Sequence, residues 1–269
     1  MNRTIASDQA AILGVEELPT VGLEQVVEVA ALERRFDAKH LVEIDALPVL
    51  VAELGDHIHV LEVEGRRSTD YTSVYFDTPE LRTYRDHVQR RRRRFKIRVR
   101  HYGDPTAAML ELKTKGRRQQ TVKFRWPHPG PSLDHLDARA MSLLAEGLVG
   151  RYGLSLPPVL APVATTRFRR ITLVDLAAAE RVTIDLGLTV AANGRTVVLG
   201  DRHAVVETKS PVRSGHAARS LRSLGVRRER VSKYCVGLVA THEDLRGNTW
   251  IPTLRHLGLG PAGLAPGGR

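Results

Sequence analysis

The chain has one cysteine, few aromatic residues and no long apolar run in its 269 residues. Because Cys235 stands alone, an intramolecular disulfide is excluded and a reducing compartment is favoured. The aromatic fraction of 5% argues against a base-stacking surface for single-stranded nucleic acid. Residues 1–19 lack a secretion signal, and the longest apolar stretches are far shorter than a membrane span. We therefore expect a soluble, cytoplasmic protein.

Two common signatures of catalysis or metal binding are missing as well. No G-x-x-x-x-G-K-[ST] sequence occurs, which argues against a P-loop nucleotide site. The single cysteine also rules out the paired Cys/His spacing of a zinc finger. His57 and His59 alternate on a predicted strand and could hold a metal, but an ordinary half-exposed strand explains them better.

What the chain does have is positive charge. Lysine and arginine total 41 against 30 acidic residues, giving a formal net charge of +11 and a pI near 10.3. With 42% hydrophobic and 26% charged residues the chain is globular rather than disordered. The charge predicts an anionic partner, which can be a nucleotide, polyphosphate, nucleic acid or a membrane surface.

The charges follow a pattern, since they occupy alternate residues of segments that otherwise resemble apolar strands. In F-K-I-R-V-R, residues 95–100, every second residue is a cation. Side chains i and i+2 of a strand share a face, so each such strand has a charged face and an apolar one. The other alternating charges are Glu111 and Lys113, Lys123 and Arg125, Arg167 and Arg169, Arg181 and Asp185, and Glu207 and Lys209.

Two arrangements of these strands explain the pattern. Charges that point to solvent explain any single strand, but they explain less well why carboxylates recur among the cations as E-x-K. An antiparallel sheet that closes with its charged face inward makes a basic tunnel suited to a phosphate chain, with helices over its apolar outside. We predict the second arrangement: an α+β fold with an antiparallel β-barrel and covering helices.

The predicted organisation is a flexible arm over 1–25, one domain over 26–242 and a disordered tail over 243–269. Helices are predicted at 37–47, 80–90, 133–149, 214–224 and 232–241. Strands are predicted at 26–36, 58–63, 71–77, 95–102, 107–115, 119–126, 163–176, 181–191, 196–199 and 204–209, with Asn193-Gly194 as a hairpin turn.

The densest basic block, Arg90–Arg94, has two readings. It can be a solvated face or a nucleic-acid patch. It can equally surround the mouth of the tunnel and attract polyanions, because it directly precedes the row that starts at Lys96.

Several segments together resemble the VTC domain, the polyphosphate polymerase domain of the triphosphate tunnel metalloenzyme (CYTH-like) superfamily. In chain order they are SVYFDTPELRTYRDHV, FKIRVRHYG, MLELKTK, TTRFRR, RVTIDLGL, VVETKS and VSKYC. Each segment is weak evidence alone, but their order and spacing across about residues 26–240 are specific. The resemblance implies a tunnel that binds ATP and inorganic polyphosphate with a divalent metal, Mn²⁺ or Mg²⁺.

The resemblance also implies site residues. By motif, the catalytic tunnel cations are Arg98, Arg100, Lys113, Arg167, Lys209 and Lys233. Glu207 takes the metal-binding position, with Glu33, Glu111 and Asp185 as lesser candidates that can instead orient neighbouring cations. The remaining cations of the pattern are expected to bind substrate: Arg35, Lys96, Lys123, Arg125, Arg169 and Arg181.

The chain departs from the family at the first strand. Glu33-Arg34-Arg35 places arginine where the family usually has lysine, and the E-x-E-x-K signature of the hydrolytic relatives is absent. Arginine is a planar fork and lysine a compact charge, so the geometry around a transferred phosphoryl group can differ.

Three functions remain open at this stage. The first is a polymerase that transfers the γ-phosphate of ATP to a polyphosphate chain. The second is a metal-dependent hydrolase of triphosphate or polyphosphate on the same tunnel. The third is a non-catalytic binder of polyphosphate or nucleic acid, of which nucleic acid is the less expected ligand. Any membrane association needs a membrane-protein partner.

Overall fold

The computed structural model describes residues 13–30, 36–116, 121–128 and 132–260. The chain divides into two compact units. Unit 1 comprises Met1–Asp70, Phe168–Leu188 and Val198–Val231, and unit 2 comprises Tyr71–Arg167, Thr189–Val197 and Ser232–Arg269. The domain boundaries expected from the sequence stay a prediction.

The described residues form an α+β fold, as predicted. The strands are β1 (Thr20–Val21), β2 (Phe36–Glu43), β3 (Ile58–Leu61), β4 (Thr69–Asp77), β5 (Phe95–Tyr102), β6 (Asp104–Lys115), β7 (Thr121–Pro127), β8 (Ala161–Asp175), β9 (Glu180–Ala192), β10 (Arg195–Val198) and β11 (His203–Ser210). The helices are α1 (Leu23–Ala30), α2 (Leu47–Glu53), α3 (Arg82–Val88), α4 (Ala138–Tyr152), α5 (His216–Ser223), α6 (Lys233–Thr241) and α7 (Ile251–His256), with a 3₁₀ turn at Ile44–Ala46.

In unit 1 the hydrogen-bonded order is β2-β11-β9-β8, with β3 beside β8 and β1 beside β3. Strand β11 pairs antiparallel with β2 over eight residues and with β9 over five. The apolar faces of these strands pack against α2 and α5, through residues such as Leu50, Val206 and Leu221. This packing leaves the opposite face of β2, β9 and β11 to the charged residues.

In unit 2 the order is β4-β5-β6-β7, all antiparallel. Helix α4 covers the apolar face, where Ile97, Leu112 and Leu144 are fully buried. Asp137 caps this helix by accepting the Ala140 N–H at 2.7 Å. At Gly147 a β-carbon would lie 2.9 Å from a Leu112 methyl group, so glycine lets the helix approach the strands closely.

The antiparallel sheet is not closed into a barrel among the described residues. The predicted class, antiparallel strands with covering helices, is therefore confirmed, while the pairing follows an open path. The predicted Asn193-Gly194 turn joins β9 to β10, and both residues have the positive φ angles, 52° and 69°, that this hairpin turn requires.

The structure corrects the predicted secondary structure at the start of the chain. Residues 26–30 of the strand predicted at 26–36 belong to helix α1, and residues 31–35 of that prediction lie outside the described residues. The helix predicted at 37–47 is strand β2 followed by the 3₁₀ turn. Pairing with β11 decides β2, because an eight-residue partner satisfies its backbone in the extended form. Pro48 lies in the first turn of α2, where a missing N–H costs nothing.

Both predicted chain ends contain ordered structure. Leu13 and Val15, expected within a flexible arm, are buried in the core of unit 1. Helix α7 lies within the stretch predicted as a disordered tail, and Trp250 and Leu254 are buried. The buried apolar residues of these two segments are spaced too irregularly to give a periodic signal in the sequence, which explains why neither segment was predicted to be structured. No described helix combines the length and apolar character needed to cross a membrane.

Candidate functional site

The charged residues of β5, β6 and β7 form continuous rows across unit 2. In one row Arg98, Glu111 and Arg125 lie directly opposite one another on successive strands. In the next row the aligned residues are Lys96, Lys113 and Lys123. Residues opposite in register share a face of the sheet, so these six side chains and Arg100 form one surface, which we call the β5–β7 face.

Glu111 is the centre of the β5–β7 face and is fully buried. Its Oε2 accepts a hydrogen bond from Arg98 Nε at 2.6 Å, and its Oε1 accepts one from the Tyr102 hydroxyl at 2.8 Å. Lys123 and Arg125 also pair with Oε1. Because both oxygens are engaged, Glu111 orients the surrounding cations rather than presenting a lone pair to a ligand.

The electrostatics of this face are those of crowded positive charge. Burial alone raises the pKa of Glu111, but Arg98 and Lys123 outweigh it and hold that pKa far below its usual range. The neighbouring Arg98, together with burial, lowers the pKa of Lys113 well below that of an ordinary lysine. Burial lowers the pKa of Lys123 to about 7, despite the opposing attraction of Glu111. An anion bound beside these side chains reduces the repulsion between their positive charges.

Arg100 and Lys96 are positioned by neutral partners. Arg100 donates from Nε to the Ser73 hydroxyl at 2.7 Å, and its guanidinium lies 5.0 Å from the centre of the Tyr71 ring. Lys96 donates to the Ser232 hydroxyl at 2.8 Å. That hydroxyl also caps α6, so the S-K-Y segment brings Ser232 to the face and starts the helix at Lys233.

Asp77 of the F-D-T-P segment has a structural role. It is fully buried and accepts hydrogen bonds from the Thr78 and Thr83 N–H groups, each at 2.8 Å. The Tyr234 hydroxyl donates to its other oxygen at 2.6 Å, beside the Tyr84 N–H at 3.0 Å. A carboxylate so fully engaged fixes the start of α3 and the position of α6, and it is not available to a metal.

Unit 1 has its own charged surface on β2, β8, β9 and β11, which we call the β2–β11 face. Glu207 lies in register between Lys39 and Thr183, and its Oε2 is 2.6 Å from the Lys39 ammonium. Its Oε1 is 3.4 Å from Lys209. Burial raises the pKa of Glu207, but the two lysines outweigh it and hold the pKa well below the usual value.

The rest of the β2–β11 face continues the pairing. Lys209 lies in register between Asp37 and Arg181. Arg170 donates to both oxygens of Asp185, at 2.6 and 2.8 Å, in a bidentate pair. This face therefore contains acidic and basic residues in nearly equal number.

The structure brings together most of the predicted site residues, within one unit or the other. Arg167 is exposed on β8, and Arg169 pairs with the exposed Asp70 at 3.0 Å, so neither belongs to the two faces just described. Glu33 and Arg35 lie outside the described residues.

Sequence reasoning missed four contributors to these faces, namely Lys39, Tyr75, Tyr102 and Arg170. Lys39 was assigned to a predicted helix, and Arg170 is adjacent to Arg169 but has the opposite parity. Tyr102 was detectable, because it continues the alternation after Arg98 and Arg100.

Of the candidate metal-ligand carboxylates that the structure describes, Glu111, Asp185 and Glu207, only Glu207 has an oxygen that is not held at short distance by a cationic side chain. Glu111 and Asp185 have both oxygens bound to cationic side chains at short distance. Among the described residues, Glu207 Oε1 makes one long contact, with the Lys209 ammonium at 3.4 Å, and the Glu207 side chain is 16% exposed. A hard divalent cation can bind through one such carboxylate oxygen when substrate phosphates and water supply its other ligands.

Comparison with known proteins supports a family assignment. The family model for the VTC domain matches residues 34–242. A comparison with curated protein sequences gives no match.

Solved structures that match this chain over about three quarters of its length have TM-scores below 0.5. A proposed adenylate cyclase of Bacillus halodurans has 13% identity and a TM-score of 0.43 over 74% of this chain and 94% of its own. HpAC1 of Hippeastrum, described with a dominant triphosphatase activity, has 13% identity and a TM-score of 0.46 over 74% of this chain and 93% of its own. PH1012 of Pyrococcus horikoshii has 14% identity and a TM-score of 0.39 over 75% of this chain and 98% of its own.

Proposed function

Since the chain belongs to the VTC domain family, we propose that it is a polyphosphate polymerase, which transfers the γ-phosphoryl group of ATP to a growing chain of inorganic polyphosphate. The family match supports a role with phosphate chains, and the charged faces supply a physical reason for it.

One observation carries the proposal, namely the excess of cations on the β5–β7 face. Six lysine and arginine side chains share this face with Glu111, which is the single carboxylate among the described side chains of these strands. Arg98 and Arg100 are 8% and 5% exposed, so part of this charge is buried. Buried like charges are costly, and a bound polyanion removes that cost. An ion-pair network that only stabilised the fold would not require more cations than carboxylates.

Phosphoryl transfer suits such a surface because it demands positioning and charge neutralisation more than covalent help from the protein. Arginines such as Arg98 and Arg100 grip phosphate oxygens through two N–H groups, and Lys113 and Lys123 add compact charge. The attacking group in this proposal is the terminal phosphate oxygen of the chain. It forms a bond to the γ-phosphorus of ATP as the bond to the β-phosphate oxygen breaks, which releases ADP.

The roles of this chain's residues follow from their partners. Glu111 keeps Arg98 and Lys123 oriented, and Ser73 and Ser232 fix Arg100 and Lys96. We further propose that Glu207 holds the divalent metal, Mn²⁺ or Mg²⁺. Such a metal, when bound, withdraws charge from phosphate oxygens as a Lewis acid.

The direct test is incubation of the purified protein with γ-labelled ATP and Mn²⁺, followed by sizing of the labelled product on a gel. The proposal expects a ladder of long labelled chains together with ADP. Release of free labelled phosphate alone indicates a hydrolase on the same residues. Tight polyphosphate binding without turnover under Mn²⁺ or Mg²⁺ indicates a binder.

A further inference from the structure

A cluster of potential metal ligands in unit 1 shares no residue with either charged face. His57, Asp175 and His216 each offer one ligand atom, and these atoms all lie within 4.8 Å of one another. His57 directly precedes β3, Asp175 ends β8, and His216 begins α5. Residues far apart in sequence therefore meet at one point of the unit.

Strand pairing fixes two of these residues. Strands β3 and β8 are antiparallel, and Ile58 lies opposite Asp175, which places His57 beside the carboxylate. Asp175 Oδ1 accepts the Ala178 N–H at 2.8 Å, and Oδ2 is 3.2 Å from His57 Nε2. The carboxylate is thus oriented and nearly buried, while the His57 side chain is 50% exposed and leaves a path from solvent.

The third residue is fixed through its backbone. Glu180 accepts the His216 N–H at 2.8 Å and the Ala217 N–H at 3.1 Å, and the Ser210 hydroxyl donates to the same carboxylate at 3.0 Å. Gly215 lies so close to Glu180 and Ser210 that a β-carbon would collide with both. These contacts hold the start of α5, so the His216 ring is presented at a defined place.

An ordinary ion pair explains only part of this arrangement. It accounts for His57 and Asp175, but the contact that the structure gives the His216 ring is a stack on His57, with centroids 5.4 Å apart and planes at 20°. Among the described residues no hydrogen bond is made to the nitrogens of that ring.

We propose that His57, Asp175 and His216 form a Zn²⁺ site with a fourth position open to water. Two imidazole nitrogens and one carboxylate oxygen are ligands that suit Zn²⁺, and three protein ligands are typical of its open sites. Ligand atoms about 2.0–2.2 Å from one ion lie within a few ångströms of one another, a spacing compatible with the 4.8 Å limit that encloses the three ligand atoms here. The bound ion joins β3, β8 and α5.

The test is a titration of the untagged, metal-free full chain with Zn²⁺ by calorimetry, with a parallel titration by Co²⁺ followed by visible absorption. We expect one saturable site per chain, with the intense bands of a four-coordinate Co²⁺ that Zn²⁺ displaces. His57→Ala, His216→Ala and Asp175→Asn each weaken binding at least about tenfold, since even groups that merely support a metal ligand matter by that factor.

Controls keep this test decisive. His135→Ala removes an exposed histidine of unit 2 and leaves the site unchanged, which excludes a general loss of surface imidazoles. Asp175→Asn preserves the acceptor for the Ala178 N–H, so it separates ligand charge from loop structure. Absence of saturable Zn²⁺ binding in the parent, or binding that all three variants retain, overturns the proposal. If one variant does not fold, the Co²⁺ spectrum of the parent and the two others decide.

Discussion

The two charged faces are built from the same residue types in different proportions. On the β5–β7 face at least six cations surround one fully buried carboxylate, Glu111. On the β2–β11 face Glu207 and Asp185 each have their own cationic partners, and Asp37 lies opposite Lys209. The first face has unbalanced positive charge, whereas the second is close to neutral.

This difference separates two tasks. An unbalanced surface gains free energy when a polyanion arrives, so the β5–β7 face is suited to bind phosphate. A balanced surface gains less from an anion, and its less fully engaged carboxylate, Glu207, is the residue that we propose to hold a hard cation. The same E-x-K pattern in the sequence therefore has two consequences, which depend on how many cations the neighbouring strands bring.

The sharpest test of this division is Glu207→Gln. The substitution is nearly isosteric and removes only the negative charge, so we expect turnover to fall by about 100-fold or more while triphosphate binding stays within a few-fold of the parent. A metal titration of turnover checks the cause. If Glu207 only orients Lys209, turnover falls modestly and added metal does not restore it; Glu243→Gln, at an exposed pair, is the matched control.

Glu111→Gln should act on stability instead. It leaves Arg98 and Lys123 without their buried counter-charge, which costs about 3–5 kcal/mol of unfolding free energy, whereas loss of an exposed pair by Glu243→Gln costs about 0–1 kcal/mol. Denaturant unfolding measures both. Because the face becomes more positive, added tripolyphosphate should stabilise the Glu111 variant more than the parent. Equal stability of the two variants would contradict the role given to Glu111.

Arg100→Ala removes a clamp from the binding face without removing the main partner of Glu111. We expect kcat/KM to fall at least tenfold, equivalent to at least about 1.4 kcal/mol in the transition state. Loss of one oxyanion donor, a comparable clamp, costs roughly 2–4 kcal/mol. Arg98→Ala should lower activity similarly but also lower stability, because Arg98 bonds to Glu111. Arg195→Ala, at an exposed ion pair, provides the control. Normal turnover in Arg100→Ala would contradict the assignment of the β5–β7 face to phosphate binding.

The lowered pKa of Lys123 predicts that the protein takes up a proton when phosphate binds. That pKa is about 7 in the free protein, and an anion bound beside the lysine raises it, so at pH 8 the lysine takes up a proton when phosphate binds. Affinity for tripolyphosphate should accordingly be greatest below pH 7 and decline above it. Calorimetry at pH 8 in buffers of different ionisation enthalpy should show uptake of up to about one proton. Lys123→Gln should reduce that uptake, and an unchanged uptake assigns it to another group.

The smallest expected effect concerns the basic block that precedes β5. Arg91 pairs with Asp86 at 3.2 Å, whereas Arg90, Arg92 and Arg93 are exposed. Replacing these three with Gln should lower kcat/KM a few-fold at low salt and converge with the parent at high salt, with kcat unchanged, because steering is screened over about 8 Å at physiological ionic strength. If the parent binds nucleic acid but does not turn over ATP, and the variant loses that affinity, the result favours a non-catalytic nucleic-acid binder.

Much of unit 2 was predictable from the sequence. Strand β5 was predicted with its observed bounds, because strict alternation over F-K-I-R-V-R leaves a single parity for the charges. The turn at Asn193-Gly194 was equally clear, since few other sequences adopt two positive φ angles in succession. Strand β2 was not predictable, because β11 stabilises it and β11 lies far along the chain.

The sequence by itself determined the net charge, the alternation of cations with apolar residues and the order of motifs that assigns the family. These are local properties, and each follows from neighbouring residues. The tertiary structure decided which carboxylate has both oxygens engaged at short distance and which has one oxygen with a single long contact, because most of a carboxylate's partners come from other strands through their register. Glu111 and Glu207 both stand two residues before a lysine, yet Arg98 and Lys123 engage one while Lys39 and Lys209 flank the other.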